Sequence, residues 1–249
     1  MSNDPSPSPE PFDAPREVVV RFAGTAEPVA ARETERLWRA AADALGVAPD
    51  ALAEVRARRI SFDARRRHRD WRVALDVWMR GERPAPPPRR VPEAIPSPPA
   101  DAPRVLVVGS GPAGLFCALD LLAAGLQVTL LERGGDVQAR RRPLAELNRG
   151  HGANPESNYC FGEGGAGTYS DGKLYARSGK KKAIRGVLRT LVDHGADPDI
   201  LSSWRPHVGS NRLPQEVKGM RETILRGGGT VHFHARVEHL EREDGAVAG

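Results

Sequence analysis

RVLVVGSGPAGLFCALDLLAAGLQVTLLER, residues 104–133, decides the fold. It opens on a short apolar run, Arg104 to Val108, which reads as a buried strand. The glycine loop GSGPAG (Gly109–Gly114) follows and leads into an amphipathic helix that extends to about Ala124. A second strand, QVTLL (Gln127–Leu131), ends in Glu132, 18 residues after Gly114 and 23 after Gly109. Strand, glycine loop, helix, strand and acidic residue in this order form the dinucleotide fingerprint in its expected context.

Each residue type has a physical task. Gly109 permits the tight turn, Gly111 lets a pyrophosphate approach the backbone, and Gly114 lets the helix pack closely on the strand, with Ala118 keeping that face small. The helix start offers free amides and a partial positive charge to phosphates. Glu132 is expected to accept hydrogen bonds from the ribose hydroxyls of an adenosine moiety. A 2′-phosphate about 4 Å from it would meet repulsion of up to ~4 kcal/mol at an effective dielectric of ~20. FAD or NAD therefore suits this site better than NADP.

A second cluster, FGEGGAGTYSDGKL (Phe161–Leu174), carries five glycines that expose backbone amides to a large anionic or planar ligand. A solvent linker is the alternative reading. Ala166, Thr168, Tyr169 and Leu174 interleave with the glycines in a way such linkers rarely show. A nicotinamide dehydrogenase has no obvious need for this loop, so the cluster favours FAD.

GSGPAGL, LLERGGDVQAR, NYCFGEGGAGTYSDGKL and RPHVGSNRLPQEVKGMRETILRGGG resemble a family of bacterial FAD-dependent dehydrogenases, grouped as NAD(P)/FAD-dependent oxidoreductases with a glutathione-reductase-like FAD-binding fold. The N-terminal RRISFDARRR is similar as well, so the resemblance runs from about Arg16 to the end. It implies that Gly109, Gly111, Pro112, Ala113 and Gly114 hold the FAD diphosphate and Glu132 the ribose. Arg133 and Arg140 would lie near the adenine or diphosphate. Gly164, Gly165, Ala166, Gly167 and Thr168 would approach the flavin, with Ser170, Asp171 and Lys173 close behind. Val237, in an expected strand HFHARVEHL, would touch the adenine through its backbone. The chain stops at GAVAG, before the return strand with an Ala-Thr-Gly-like turn that such domains carry. The expectation is an N-terminal fragment of a longer protein, or a truncated gene model.

Upstream, prolines mark boundaries: of 22, five fall in residues 1–15 and nine in residues 84–103. The first stretch reads as a disordered tail and the second as a semi-rigid linker. Between them, residues 16–83 read as a small α+β domain of β-α-β-β order, ahead of a Rossmann-like α/β domain over 104–249 that is truncated at its C-terminal side. Its strands are Glu17–Phe22, a run through Ile60 and Phe62, and a stretch in which Trp71, Val73, Leu75, Val77 and Met79 alternate with Arg72, Ala74, Asp76, Trp78 and Arg80. Its helix places Leu37, Trp38, Ala41, Ala42 and Leu45 on one face, capped by Gly46.

Eight arginines (56, 58, 59, 65, 66, 67, 69 and 72) stand between Arg56 and Arg72. They allow a phosphate platform, but a solvated hairpin is the favoured reading, because 32 of the 37 basic residues are arginine and no aromatic residues interleave at stacking positions. Nucleic acid is not an expected partner.

Cys117 and Cys160 show no CxxC or metal spacing, so neither a disulfide framework nor a thiol pair is expected; Cys117 reads as core and Cys160 as packing. His232 and His234 would share a strand face, read as solvated rather than as half a metal site. His207 could carry a proton near a flavin, or be a satisfied loop histidine. Lys173 could stabilise a reduced flavin or pair with Asp171. Lys180, Lys181 and Lys182 read as a solvated helix start. No apolar run spans a membrane and no secretion signal opens the chain, which points to the cytoplasm.

The expected function is hydride transfer between flavin and an unidentified small-molecule substrate or NAD(P)H, with no metal and no assignable catalytic acid or base. The alternatives are a flavoprotein that binds RNA through its arginine-rich domain, and a non-catalytic dinucleotide-binding regulatory module.

Overall fold

Alternating apolar residues build the first of two units. The computed structural model describes residues 11–23, 34–63, 70–86, 94–174, 180–209, 212–244 and 246–247. It divides into a unit of residues 1–88 plus Pro198–Pro206 and a unit of residues 89–197 plus 207–249.

In the first unit, β1 (Arg16–Ala23), α1 (Thr34–Leu45), β2 (Leu52–Asp63) and β3 (Asp70–Met79) give the β-α-β-β order. The sheet order is β1-β3-β2, with β3 antiparallel to both neighbours. Val18, Val20 and Phe22 alternate along β1 and meet Leu75, Val73 and Trp71 across the ladder. This buried face is closed by Leu37, Ala41 and Ala42 of α1, and each large side chain so buried contributes roughly 1.5–3 kcal/mol.

The strict alternation expected of β3 breaks at Trp78, which is buried. Its indole N–H donates to the Asp13 carbonyl at 2.9 Å and the Arg56 guanidinium lies 4.9 Å from its ring centroid. Residues next to Asp13 are likewise tied down, since Arg83 donates its N–H to the Asp13 carboxylate at 2.7 Å. The described end of the expected tail is thus docked on the sheet.

Of the eight arginines, 65, 66, 67 and 69 lie outside the described residues. Arg56 pairs with Glu54 and donates to the Ala85 carbonyl, while Arg58 pairs with Glu17 and Asp76.

The second unit is α/β. Strands β4 (Arg104–Val108), β5 (Gln127–Leu131) and β6 (Thr230–His232) form a parallel sheet in the order β4-β5-β6. The helices are α2 (Pro112–Ala123), α3 (Arg141–Asn148), α4 (Lys181–Asp193) and α5 (Leu213–Arg226), and a short hairpin, β7 (Arg242–Glu243) with β8 (Ala246–Val247), follows. Leu115, Ala118, Leu119 and Leu122 of α2 are buried, as are Met220 and Ile224 of α5.

Three expectations need correction here. HFHARVEHL is not one strand: pairing ends at His232, and His234 takes a left-handed backbone at φ 57°. His232 and His234 therefore do not share a strand face. Cys117 is exposed rather than core, because the buried stripe of α2 passes through Ala118. The described end of the expected linker packs on this unit: Ile95 and Ser97 lie against Gly227 and Gly228, and Gln127 donates from its side chain to the carbonyls of Pro99 and Ala100.

Lys180, Lys181 and Lys182 are exposed at the start of α4. Among the described residues, no helix is long and apolar enough to cross a membrane.

Candidate functional site

Backbone, more than side chain, shapes the site at the ends of β4 and β5. Gly109 turns at φ +94° and donates its N–H to Leu131 at 2.7 Å. A Cβ on Gly114 would sit 1.9 Å from the Gly109 carbonyl oxygen, so only glycine lets α2 start this close to the strand. Around Gly111 nothing lies within 4 Å of an added Cβ, which leaves its backbone open to a ligand. Gly111 caps α2 without a side-chain hydrogen bond and Pro112 occupies the first turn, so the first-turn amides have no side-chain acceptor.

Glu132 stands at the centre of the loops. Its carboxylate is 4% exposed. One oxygen accepts the N–H and the hydroxyl of Ser110, and the other accepts the amides of Gly134 and Gly162, all at 2.8 Å. Burial alone would raise its pKa, but these hydrogen bonds from Gly134, Ser110 and Gly162 together hold it below the usual carboxylate range. Its acceptor positions are filled by the protein. Glu132 thus ties three loops together.

Arg140 makes a comparable tie. It is fully buried and donates to the carbonyls of Glu163 (2.5 Å), Gly165 (2.9 Å), Asn158 (3.0 Å) and Tyr159 (3.3 Å). Burial lowers its pKa, with Tyr169, Glu132 and Glu163 opposing. It pins the second glycine loop from beneath, and a Cβ on Gly162 would run into its side chain at 2.3 Å. Glu163, also fully buried, accepts the Val137 amide at 2.9 Å and lies 2.9 Å from Arg221 in an ion pair whose N–H is not aimed along a hydrogen bond. Desolvation raises its pKa despite these contacts.

The glycine loop joins the first loop directly, since Gly164 donates its N–H to Ser110 at 2.8 Å. Between them lies a cleft of about 320 Å³ whose walls include Gly109, Gly111, Glu132, Arg133, Gly165 and Val237. Six sequence-predicted residues are therefore brought together. The cleft also takes in Cys160, Phe161, Gly162, Ala235 and Arg236. Cys160 is exposed at this wall rather than packed inside.

Arg133 holds Glu156 in a two-point ion pair at 2.7 and 3.0 Å, which raises its pKa, and lies 4.2 Å from the Phe161 ring centroid. Arg236 shares the same carboxylate at 3.4 Å and also pairs with Glu238 at 3.2 Å.

The remaining predictions scatter around this centre. Pro112 neighbours Gly165, 3.5 Å from where a Cβ there would sit. Ala113 and Gly114 lie in the helix start behind the cleft wall. Gly164 is buried, Ala166 and Gly167 are exposed just beyond Gly165, and Thr168 is buried with its hydroxyl on the Glu163 carbonyl at 3.1 Å.

Ser170, Asp171 and Lys173 do not line the cleft. Lys173 pairs with Asp171 at 2.7 Å, which lowers the Asp171 pKa, and is bridged to His207 by backbone pairing. Among the described residues, no group of three or more potential metal ligands gathers.

Residues 104–197 match the model of the family FAD dependent oxidoreductase (DAO). An uncharacterized protein of Clostridium beijerinckii is 42% identical over 144 residues, which cover 58% of this chain and 27% of that protein. The chain thus spans about a quarter of the length of the curated relative it matches. A solved structure, L-amino acid deaminase from Proteus vulgaris, aligns over 64% of this chain and 46% of its own at 16% identity and a TM-score of 0.28.

Proposed function

We propose that the chain carries the nucleotide-binding part of a FAD-dependent oxidoreductase. One observation carries this reading: the cleft at the ends of β4 and β5 is floored by bare backbone at Gly109, Gly111, Gly162 and Gly165 and rimmed by Arg133 and Arg236. An anion approaching Gly111 meets no Cβ, the start of α2, and two cations that share one glutamate. The family match over residues 104–197 supports the same cofactor.

The residues fit the adenosine-diphosphate end of FAD. A volume of about 320 Å³ is at the small end of ligand pockets, roughly 300–1,000 Å³. Gly109, Gly111 and the start of α2 at Pro112–Gly114 would hold the diphosphate, and the backbone at Ala235–Val237 the adenine. Gly165 and the adjoining Ala166–Thr168 would lead toward the flavin. Glu132 and Arg140 act indirectly, by fixing Ser110, Gly134, Gly162 and the carbonyls of residues 158–165. When bound, FAD would supply the hydride-accepting chemistry. The substrate is a small molecule, NAD(P)H the electron donor and the compartment the cytoplasm.

The test is the visible spectrum of the purified gene product that contains this chain, with identification of any cofactor released on denaturation. A flavin band and released FAD support the reading. If no FAD is carried and added FAD does not bind, the reading fails and a nucleotide-binding module is the better account. Anaerobic titration with NADH and NADPH then tests the donor: bleaching by either supports it, and bleaching by dithionite alone removes it.

A further inference from the structure

The first unit carries a second cleft that the flavin reading does not use. One face of its sheet is covered by α1; on the other, among the described residues, Val19 and Arg21 are exposed and Arg72, Ala74 and Asp76 are half-buried. On that second face the charges sort by position. Glu17 and Asp76 are both engaged by Arg58. Further along the same face, Arg21 and Arg72 stand directly opposite each other in the β1–β3 register, and Arg59 lies opposite Ala74 in the β2–β3 register.

Among the described residues, none of these three arginines has a side-chain partner. Like charges directly opposite on a sheet destabilise it, so this arrangement costs free energy unless an anion offsets it. Beside it is a cavity of about 670 Å³ lined by Arg59, Arg72, Asp63, Val19, Ala74 and Trp204.

Trp204 gives the cavity its second character. It belongs to the Pro198–Pro206 segment of the same unit, which is fastened to the edge of β2 by the Ile60 N–H donating to Ser202 at 2.7 Å, with Ile200 buried. Trp204 is 43% exposed as a residue and Val19 on the sheet 53% exposed. An inorganic anion would leave this apolar surface wet, and an apolar ligand would leave the arginines uncompensated. A flat ring bearing an anion satisfies both requirements, and a cavity with two aromatic residues, Phe62 and Trp204, and two guanidinium groups is suited to a base and its phosphate.

We propose that this cavity binds a nucleotide, with its phosphate on Arg59 and Arg72 and its base against Trp204.

The test is titration of the full chain, loaded with FAD and freed of excess so that the first cleft is filled, with the fluorescent nucleotide mant-ADP, beside the double variant Arg59→Glu/Arg72→Glu treated in the same way. Binding that weakens as salt rises and falls at least tenfold in the double variant supports the site. Equal binding to the two proteins overturns it. Arg59→Gln/Arg72→Gln, checked for its fold by circular dichroism, repeats the comparison without reversed charge and must also weaken binding. Trp204→Ala should cost about tenfold or more if the base stacks there.

Competition identifies what is recognised. ADP should displace the probe at far lower concentration than inorganic phosphate or adenosine, and phosphate competing as well as ADP reduces the site to an anion site and sinks the proposal. A ten-residue oligoadenylate binding more tightly than ADP assigns the nucleotide to an RNA strand, and weaker or equal binding assigns a free nucleotide; each supports the site. The FAD content of the gene product should be unchanged by these substitutions, so their result is independent of the flavin reading.

Discussion

Ser110 donates its backbone N–H and its hydroxyl to the same carboxylate oxygen of Glu132, each at 2.8 Å. The pair joins the glycine loop after β4 to the end of β5, and the other oxygen of Glu132 extends the tie to Gly134 and Gly162. Three segments far apart in sequence therefore depend on one buried charge. Ser110→Ala should cost about 1.5–3 kcal/mol, the value of a hydrogen bond to a charged group. Glu132→Ala should cost more, because four donors lose their acceptor. Urea unfolding of the two variants checks the order, and a Glu132→Ala protein as stable as Ser110→Ala would refute the shared tie.

The same carboxylate predicts an acid response. Its folded pKa is lowered, so its stabilisation is fully present above the unfolded value of about 4.3 and is lost as pH falls through the folded pKa. Stability measured from pH 6 downward should fall with a component that is absent from Glu132→Gln.

Two glycines of one loop should respond differently. Gly114→Ala places a Cβ 1.9 Å from the Gly109 oxygen, so the helix or the strand must shift, at about 1–3 kcal/mol or more. At Gly111 an added Cβ meets nothing within 4 Å and the backbone is at φ −66°, which any residue adopts. Gly111→Ala should therefore leave the melting temperature nearly unchanged while reducing FAD retention, since its methyl would project where the diphosphate is proposed. A Gly111→Ala protein that keeps its full flavin content would move the diphosphate elsewhere.

Arg140 is a buried fork on four carbonyls. Arg140→Leu removes the fork and leaves these oxygens and the Glu163 charge without it, which should cost about 3–5 kcal/mol. Arg140→Lys should recover only part of this, because an ammonium cannot reproduce a planar fork. Chemical unfolding with hydrogen exchange at residues 158–165 measures both effects, and protection there equal to wild type would show that the loop does not rest on Arg140.

The backbone of the nucleotide fold was legible because its signals are local. Val105 and Leu130 lie on short apolar runs, Gly109 and Gly114 have steric reasons visible in spacing, and strand boundaries at 104–108 and 127–131 follow from them. What was not legible depends on which way a side chain turns. Glu132 and Arg140 read as cofactor contacts because an acidic and a basic residue beside a glycine loop suit a nucleotide. The fold also gives both of them backbone partners that only the folded loops bring together. Phe161 and Arg236 were missed at the cleft for the same reason. Trp204 carried no sequence signal, since its place against β2 depends on a backbone pairing 142 residues apart, Ile60 with Ser202. Cys117 shows the limit of a helical face: one residue before Ala118, it faces out.

Glu216, in the first turn of α5, is 1% exposed, and neither carboxylate oxygen has a hydrogen-bond partner. Burial pushes its pKa up to about 7, against a modest pull downward from Arg212. A carboxyl whose folded pKa lies above its unfolded value makes the folded state hold a proton that the unfolded state releases. Stability should therefore decline as pH rises from about 4.5 through about 7, where the folded group itself ionises, by a total of roughly 3 kcal/mol. This trend opposes that of Glu132 and occupies a higher pH range, so the two can be separated in one profile. Glu216→Gln keeps the shape and removes the proton, and should gain up to about 3 kcal/mol at pH 8 while gaining little at pH 4. Urea unfolding at the two pH values decides the matter: an equal effect at both would mean that the carboxyl finds a partner and does not titrate near neutrality.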